Sequence, residues 1–211
     1  MPPLLRDSRW FMAPFFYLVF GDKAKVFLDF KQDVVNVSDD EINQYYETLA
    51  DKFIKRETDL NKECLSFIKQ NVVGKDVLDV ACGGGFLSEG LASQGFNVVG
   101  ADIIIPGQKS TNPKYEKAVI TDLQFSDSQF DTVVCTHTLE HIRDVKKALG
   151  EIERVCKKRL LIVVPCQREY AYTFDLHLHF FPYEYKLREL VGPSGVIHKL
   201  GGDFLYVREM T

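Results

Sequence analysis

The chain has 211 residues, 45% of them hydrophobic and 27% charged, with a formal net charge of −4. That balance excludes collagen-like, low-complexity and wholly disordered classes. Neither half is basic, so there is no electrostatic footprint for a nucleic-acid backbone, and a small-molecule partner fits better. Five cysteines, at 64, 82, 135, 156 and 166, are odd in number and far apart. They argue against a disulfide framework or structural zinc site and for reduced thiols in the cytoplasm.

In chain order, the first feature is the apolar run Trp10 to Phe20, preceded by Arg6 and Arg9. It falls well short of the ~20 residues a spanning helix needs, and it has no Ala-x-Ala cleavage site. The expectation is a buried or partner-covered aromatic segment with no stable membrane insertion. KVFLDF, from Lys25 to Phe30, reads as a strand. Ser38 with Glu41 three residues on is a capping box, and Ile42, Tyr45, Leu49 and Phe53 continue it at helical spacing. A second helix, from about Thr58 to Asn71, carries Leu60, Cys64, Phe67 and Ile68 on one side. Residues 1–74 are thus expected to be a helical and aromatic lid on a core formed by 75–211.

From Lys75 apolar runs alternate with helical patterns. Strands are predicted at 76–80, 97–101, 117–120, 130–135 and 159–164, and helices at 86–94, 140–156 and 182–191. This alternation predicts right-handed βαβ units, a parallel sheet and an α/β fold. Gly201-Gly202 between two short apolar runs predicts a terminal hairpin.

The informative stretch is VLDVACGGGF, Val77 to Phe86. Three glycines between a buried strand and a helix allow close approach of a ligand to backbone amides. Nicotinamide, flavin and S-adenosylmethionine (SAM) sites all use such a turn. Asp79 discriminates, because a carboxylate beside the glycines repels a diphosphate but attracts the ammonium of a methionine moiety. Asp102 ends the next strand, where an acid accepts from ribose hydroxyls. Asp122 follows the third strand, where it could accept from an adenine amine.

These residues resemble the class I SAM-dependent methyltransferases, particularly the small-molecule type 11 branch. VLDVACGGG, VVGADI, ITDLQFSDSQFDTVVC and THTLEHIRDVKKALGEIERVCKKRLLIVVP carry the resemblance, from about Lys75 to Pro165. It implies a Rossmann-like sheet of seven strands, mostly parallel, with helices on both faces and a C-terminal antiparallel hairpin. It also implies SAM as cofactor, leaving S-adenosylhomocysteine. Implied cofactor contacts come from Asp79, Ala81, Cys82, Gly83 and Gly85 of the first turn, and from Asp102 and Ile103. Asp122, Leu123 and Thr136 follow, with Tyr46 and Arg56 reaching in from the lid. Ala81 stands where the family more often has glycine.

Transfer to oxygen needs a general base, usually histidine. The resemblance places His137, His141, His177 and His179 at the pocket mouth, so one of them is expected to serve; the alternation of His177 and His179 suggests one in and one out. His198, in the hairpin, is expected to be unrelated. No acidic ligand stands clearly beside the histidine pair, so no metal is expected. The sequence thus points to methyl transfer to a small-molecule acceptor, with a homodimer compatible. The rivals are a catalytically silent SAM-binding subunit and an NAD(P)-dependent oxidoreductase; the latter lacks its third glycine and a Tyr–Lys relay.

Overall fold

The computed structural model describes residues 2–38, 41–42, 57–107, 112–172 and 174–211. Seven strands form one sheet: β1 (Asp76–Val80), β2 (Asn97–Asp102), β3 (Lys114–Lys117), β4 (Phe130–Thr136), β5 (Cys156–Pro165), β6 (Val196–Leu200) and β7 (Asp203–Glu209). Their order is β3-β2-β1-β4-β5-β7-β6. The pairs from β3 to β5 are parallel, whereas β7 runs antiparallel to both β5 and β6. Gly201 and Gly202 turn the terminal hairpin with φ of +56° and +99°, a conformation glycine adopts at low cost.

Successive strand side chains point to opposite faces, and here both faces are covered. Cys64 and Ile68 of helix Lys62–Asn71 pack in one cluster with Val77, Val134, Leu161 and Val163. Asn61 caps that helix, its side chain accepting from the Cys64 amide at 2.9 Å. On the other face Ala148, Leu149, Ile152 and Val155 of helix Val145–Val155 meet Leu78, Val133, Leu160 and Ile162. Two-sided burial is why β4 and β5 read as nearly continuous apolar runs. Each large side chain so buried contributes about 1.5–3 kcal/mol. Helix Lys62–Asn71, which the sequence reading grouped with the lid, is therefore packed on the sheet itself.

Several boundaries differ from expectation. Residues 25–30 are not a strand but part of helix Ala24–Asp33, which turns Ala24, Phe27 and Leu28 inward at helical spacing. The aromatic run is also a helix, Arg9–Phe20, burying Met12, Phe16 and Phe20 at intervals of four and exposing Trp10 and Leu18. The third strand lies at Lys114–Lys117, three residues earlier than expected. The helix expected over 140–156 is broken: a single turn, Leu139–His141, gives way to extended Ile142 before Val145. Asp144 causes the restart, its side chain capping the new helix by accepting from the Lys147 amide at 3.0 Å.

The two N-terminal helices pack together and grip the segment after β5. Phe16 stacks on Phe174 with ring centroids 4.4 Å apart, and Phe20 stacks on Phe27 at 3.8 Å. Leu176 joins this cluster fully buried. Polar bonds reinforce the grip: the Arg6 guanidinium donates to the Glu169 carbonyl at 2.9 Å, and the Ala171 amide donates to Asp7 at 2.9 Å. The capping box forms as predicted, with Ser38 N donating to the Glu41 carboxylate and Glu41 N to Ser38 Oγ; Tyr45, Tyr46, Leu49, Phe53 and Arg56 lie outside the described residues. Among the described residues no helix is long and apolar enough to cross a membrane.

Candidate active site

A cavity of about 820 Å³ opens at the C-terminal ends of β1, β2, β4 and β5, the place where open α/β sheets bind ligands. One half is built by the glycine turn. Gly83 has φ +53°, and a Cβ at Gly83 or Gly84 would meet nothing within 4 Å, so both leave their backbone accessible from the cavity. Asp102 braces this turn: its Oδ2 accepts from the Gly83 amide at 2.8 Å and its Oδ1 from the Ile104 amide at 3.0 Å. Burial raises the Asp102 carboxyl above the usual carboxylate range, although both amides oppose the shift. Ile103, Ala118, Ile120 and Leu123 supply an apolar wall suited to a flat ring.

Gly85 and Gly100 have a different purpose. A Cβ at Gly85 would fall 2.1 Å from the Tyr115 hydroxyl, and one at Gly100 would fall 2.8 Å from the same ring. The tyrosine from β3 occupies the space that both glycines vacate.

Asp79 is 1% exposed and lies behind the cavity wall rather than in it. Its Oδ2 accepts from Ser88 Oγ at 2.6 Å, tying β1 to helix Phe86–Ala92, while Oδ1 has no hydrogen-bond partner among the described residues. Burial pushes this carboxyl up to about 7, with Ser88 opposing. Ser88, from the helix after the glycine turn, is the partner of this acid. Cys82 and Thr136 also sit beside the lining, and Asp122 is exposed between the lining residues Thr121 and Leu123.

Ala81 has φ +56°, a left-handed conformation that costs an L-residue roughly 1–2 kcal/mol. Ala81→Gly relieves that strain but loosens the unfolded chain by about 0.4–1 kcal/mol. The expected net result is a gain of up to about 1.6 kcal/mol in urea unfolding.

The other half of the cavity holds the histidines. His137, at φ +48° just past β4, is pinned between two carboxylates, with Nε2 3.3 Å from Asp203 and Nδ1 3.6 Å from Glu140. Burial opposes its charge, but Asp203 and Glu140 outweigh burial and raise it to about 10. It carries its proton at neutral pH and is therefore not poised to accept another. His179 Nε2–H donates to the Ile142 carbonyl at 2.9 Å, which makes it a brace for the break before Asp144.

His141 and His177 face each other edge to face at 4.7 Å and both line the cavity. His177 Nδ1 bonds Gln167 Oε1 at 2.7 Å, and burial, helped by His141, lowers His177 to about 4. The His-x-His pair thus splits into one ring inside and one bracing, as the alternation suggested. His198 packs on Phe67 at 4.9 Å, in a different part of the molecule.

Glu140, Gln167 and Asp203 were not assigned site roles from sequence. Asp203 arrives through antiparallel pairing, opposite Pro165 at the cavity end of β5; nothing local to Gly201-Gly202-Asp203 announces it. Glu140 had a signal, its place one residue before His141 just after a strand end.

This sheet order, with a glycine turn after β1 and an acid ending β2, is that of a Rossmann-like methyltransferase fold. Residues 78–164 match the family model described as a methyltransferase domain. The chain is 33% identical over 142 residues to a ubiquinone biosynthesis O-methyltransferase of Hahella chejuensis, covering 59% of each chain. It is 32% identical over 130 residues to that of Pseudomonas syringae pv. tomato, covering 53% of this chain and 56% of the relative. The matches thus span little more than half the length of these relatives. Among solved structures, a Burkholderia thailandensis 1,6-didemethyltoxoflavin-N1-methyltransferase with bound substrate and S-adenosylhomocysteine superposes with a TM-score of 0.57. It is 17% identical and covers 70% of this chain and 76% of that one, so it supports the fold alone.

Proposed function

We propose that this protein transfers the methyl group of SAM to an oxygen of a small-molecule acceptor. The observation that carries the reading is the two-sided cavity, with an open glycine turn braced by Asp102 on one side and a buried histidine–glutamate corner on the other. The glycine turn and the apolar wall fit an adenosyl group. Asp102 holds the turn and accepts from ribose hydroxyls; Asp79 fixes the turn from behind through Ser88. In the transfer, an acceptor oxygen bonds to the methyl carbon as the sulfonium–carbon bond breaks. Positioning within the cavity supplies much of the rate, and the acceptor proton leaves at the Glu140, His141 and His177 corner. The lid is formed by the N-terminal aromatic helices, with Phe20 and Phe174 on the cavity rim. Oxygen as the acceptor atom is supported by the printed names of the curated relatives.

Calorimetric titration with S-adenosylhomocysteine, using NAD⁺ as control, tests this reading. Micromolar binding of the first and none of the second is expected. Binding of NAD⁺ alone would overturn the class, and S-adenosylhomocysteine binding without turnover across an acceptor panel would favour a silent subunit.

A further inference from the structure

We infer that the acceptor side of the cavity holds a divalent transition-metal ion on Glu140, His141 and His177. This deepens the methyltransferase reading and rests on it for the role of the ion. It also reverses the sequence expectation of a site without metal.

One potential ligand atom from each of the three residues lies within 4.8 Å of the other two. Ligands sharing a cation at ~2.1 Å stand roughly 3.4 Å apart, so side-chain rotations of about 1 Å bring these three together. Two imidazoles and a carboxylate are a donor set for zinc or a related transition ion rather than for magnesium. Three protein ligands also leave coordination positions open on the cavity side.

Glu140 supplies the second, independent observation. It is 0% exposed, it lines the cavity, and among the described residues neither carboxylate oxygen has a hydrogen-bond partner. His137 Nδ1 forms an ion pair with it at 3.6 Å, beyond hydrogen-bond length. His137 divides its charge between Glu140 and Asp203, so the buried Glu140 carboxylate still has charge for a second cation to meet. A cation between His141 and His177 meets it.

The surroundings favour ligation. The Nδ1–H of His177 donates to Gln167 Oε1 at 2.7 Å; a polar partner of this kind orients metal-binding histidines. The Glu140 carbonyl accepts from the amides of Leu178 and His179 at 2.7 and 2.9 Å. Those two bonds hold the histidine-bearing loop against Glu140, so His177 shares one corner with Glu140 and His141 although it lies 36 residues after His141 in sequence.

The ion supplies an open position for an acceptor hydroxyl. Coordination makes that hydroxyl more acidic. Its proton passes to water, its oxygen bonds the methyl carbon, and the sulfonium–methyl bond breaks to leave neutral S-adenosylhomocysteine.

The test uses the full chain stripped by a chelator, titrated by calorimetry with zinc chloride and by visible absorption with cobalt chloride. One equivalent of each ion is expected to bind, with His177→Ala and His141→Gln each weakening binding at least tenfold and His198→Ala leaving it unchanged. Long-range ¹H–¹⁵N spectra of the unsubstituted protein give an answer independent of variant folding: two histidines shift on zinc addition, and those of His179 and His198 stay. S-adenosylhomocysteine affinity is measured on the same samples. Retained S-adenosylhomocysteine binding with no cation uptake would overturn the metal site and leave the methyltransferase reading standing. So would cation affinity unchanged in both ligand variants. Cation uptake without S-adenosylhomocysteine binding would instead strike the methyltransferase reading.

Discussion

Asp102→Ala is expected to weaken S-adenosylhomocysteine binding by about 1–3 kcal/mol, the cost of leaving hydrogen-bonding groups of a charged acceptor unmade. At room temperature that is a five- to 150-fold rise in Kd. The carboxylate does two jobs, and the variant loses both. It holds the Gly83 and Ile104 amides from two different turns, and it is the acid on the cavity side where a ribose would lie. Asp102→Asn separates them, because an amide oxygen still accepts from one turn while the charge is gone. Calorimetry on both variants should rank alanine below asparagine below the parent. Equal affinity in all three would remove Asp102 from the cofactor site.

Phe16→Ala is expected to destabilise the N-terminal helix pair by about 3–5 kcal/mol, the usual cost of emptying a buried phenylalanine site. Phe16 is fully buried, stacked at 4.4 Å on Phe174 and within 6.4 Å of Phe20 and Phe27. The clamp and the sheet belong to different buried clusters, so the loss should be regional. Amide hydrogen exchange should accelerate over residues 9–33 and 170–178 and remain unchanged in β1, β4 and β5. Because His177 follows Phe174 by three residues, turnover should fall at least tenfold while S-adenosylhomocysteine affinity changes less than threefold. Global loss of exchange protection would show instead that the clamp is needed to fold the sheet.

The cofactor half of the site was far more legible in the sequence than the acceptor half, for a local reason. Strand, glycine turn, helix and the acid of the next strand lie within 27 residues, Asp76 to Asp102, and each leaves its mark in composition or period. The acceptor half is assembled from Glu140 and His141 after β4, His177 in a loop and Asp203 from a hairpin. Strand pairing, the aromatic clamp and the bonds from the loop amides to the Glu140 carbonyl join those pieces, and none of these has a short-range signature.

The misread segments have similar explanations. KVFLDF is a short apolar run that reads as a strand, but its hydrophobes also fit a helix, and packing against helix Arg9–Phe20 decides between the two. The break after His141 was hidden because the apolar stripe of the following helix extends backwards through Ile142, while the cap at Asp144 that interrupts it is one polar residue among many.

Tyr115 fills the space above both Gly85 and Gly100, and that shared void ties three positions into one hereditary unit. A methyl group added at Gly100 collides with the ring, and a smaller residue at 115 leaves a hole beside β2, so each single step is a loss. Taken together the two changes fill one another's deficit. Substitution at these sites should therefore be epistatic, with Gly100→Ala and Tyr115→Leu each harmful alone and partly restoring one another in the double variant. A lineage drifting through either change first would have to cross a fitness valley.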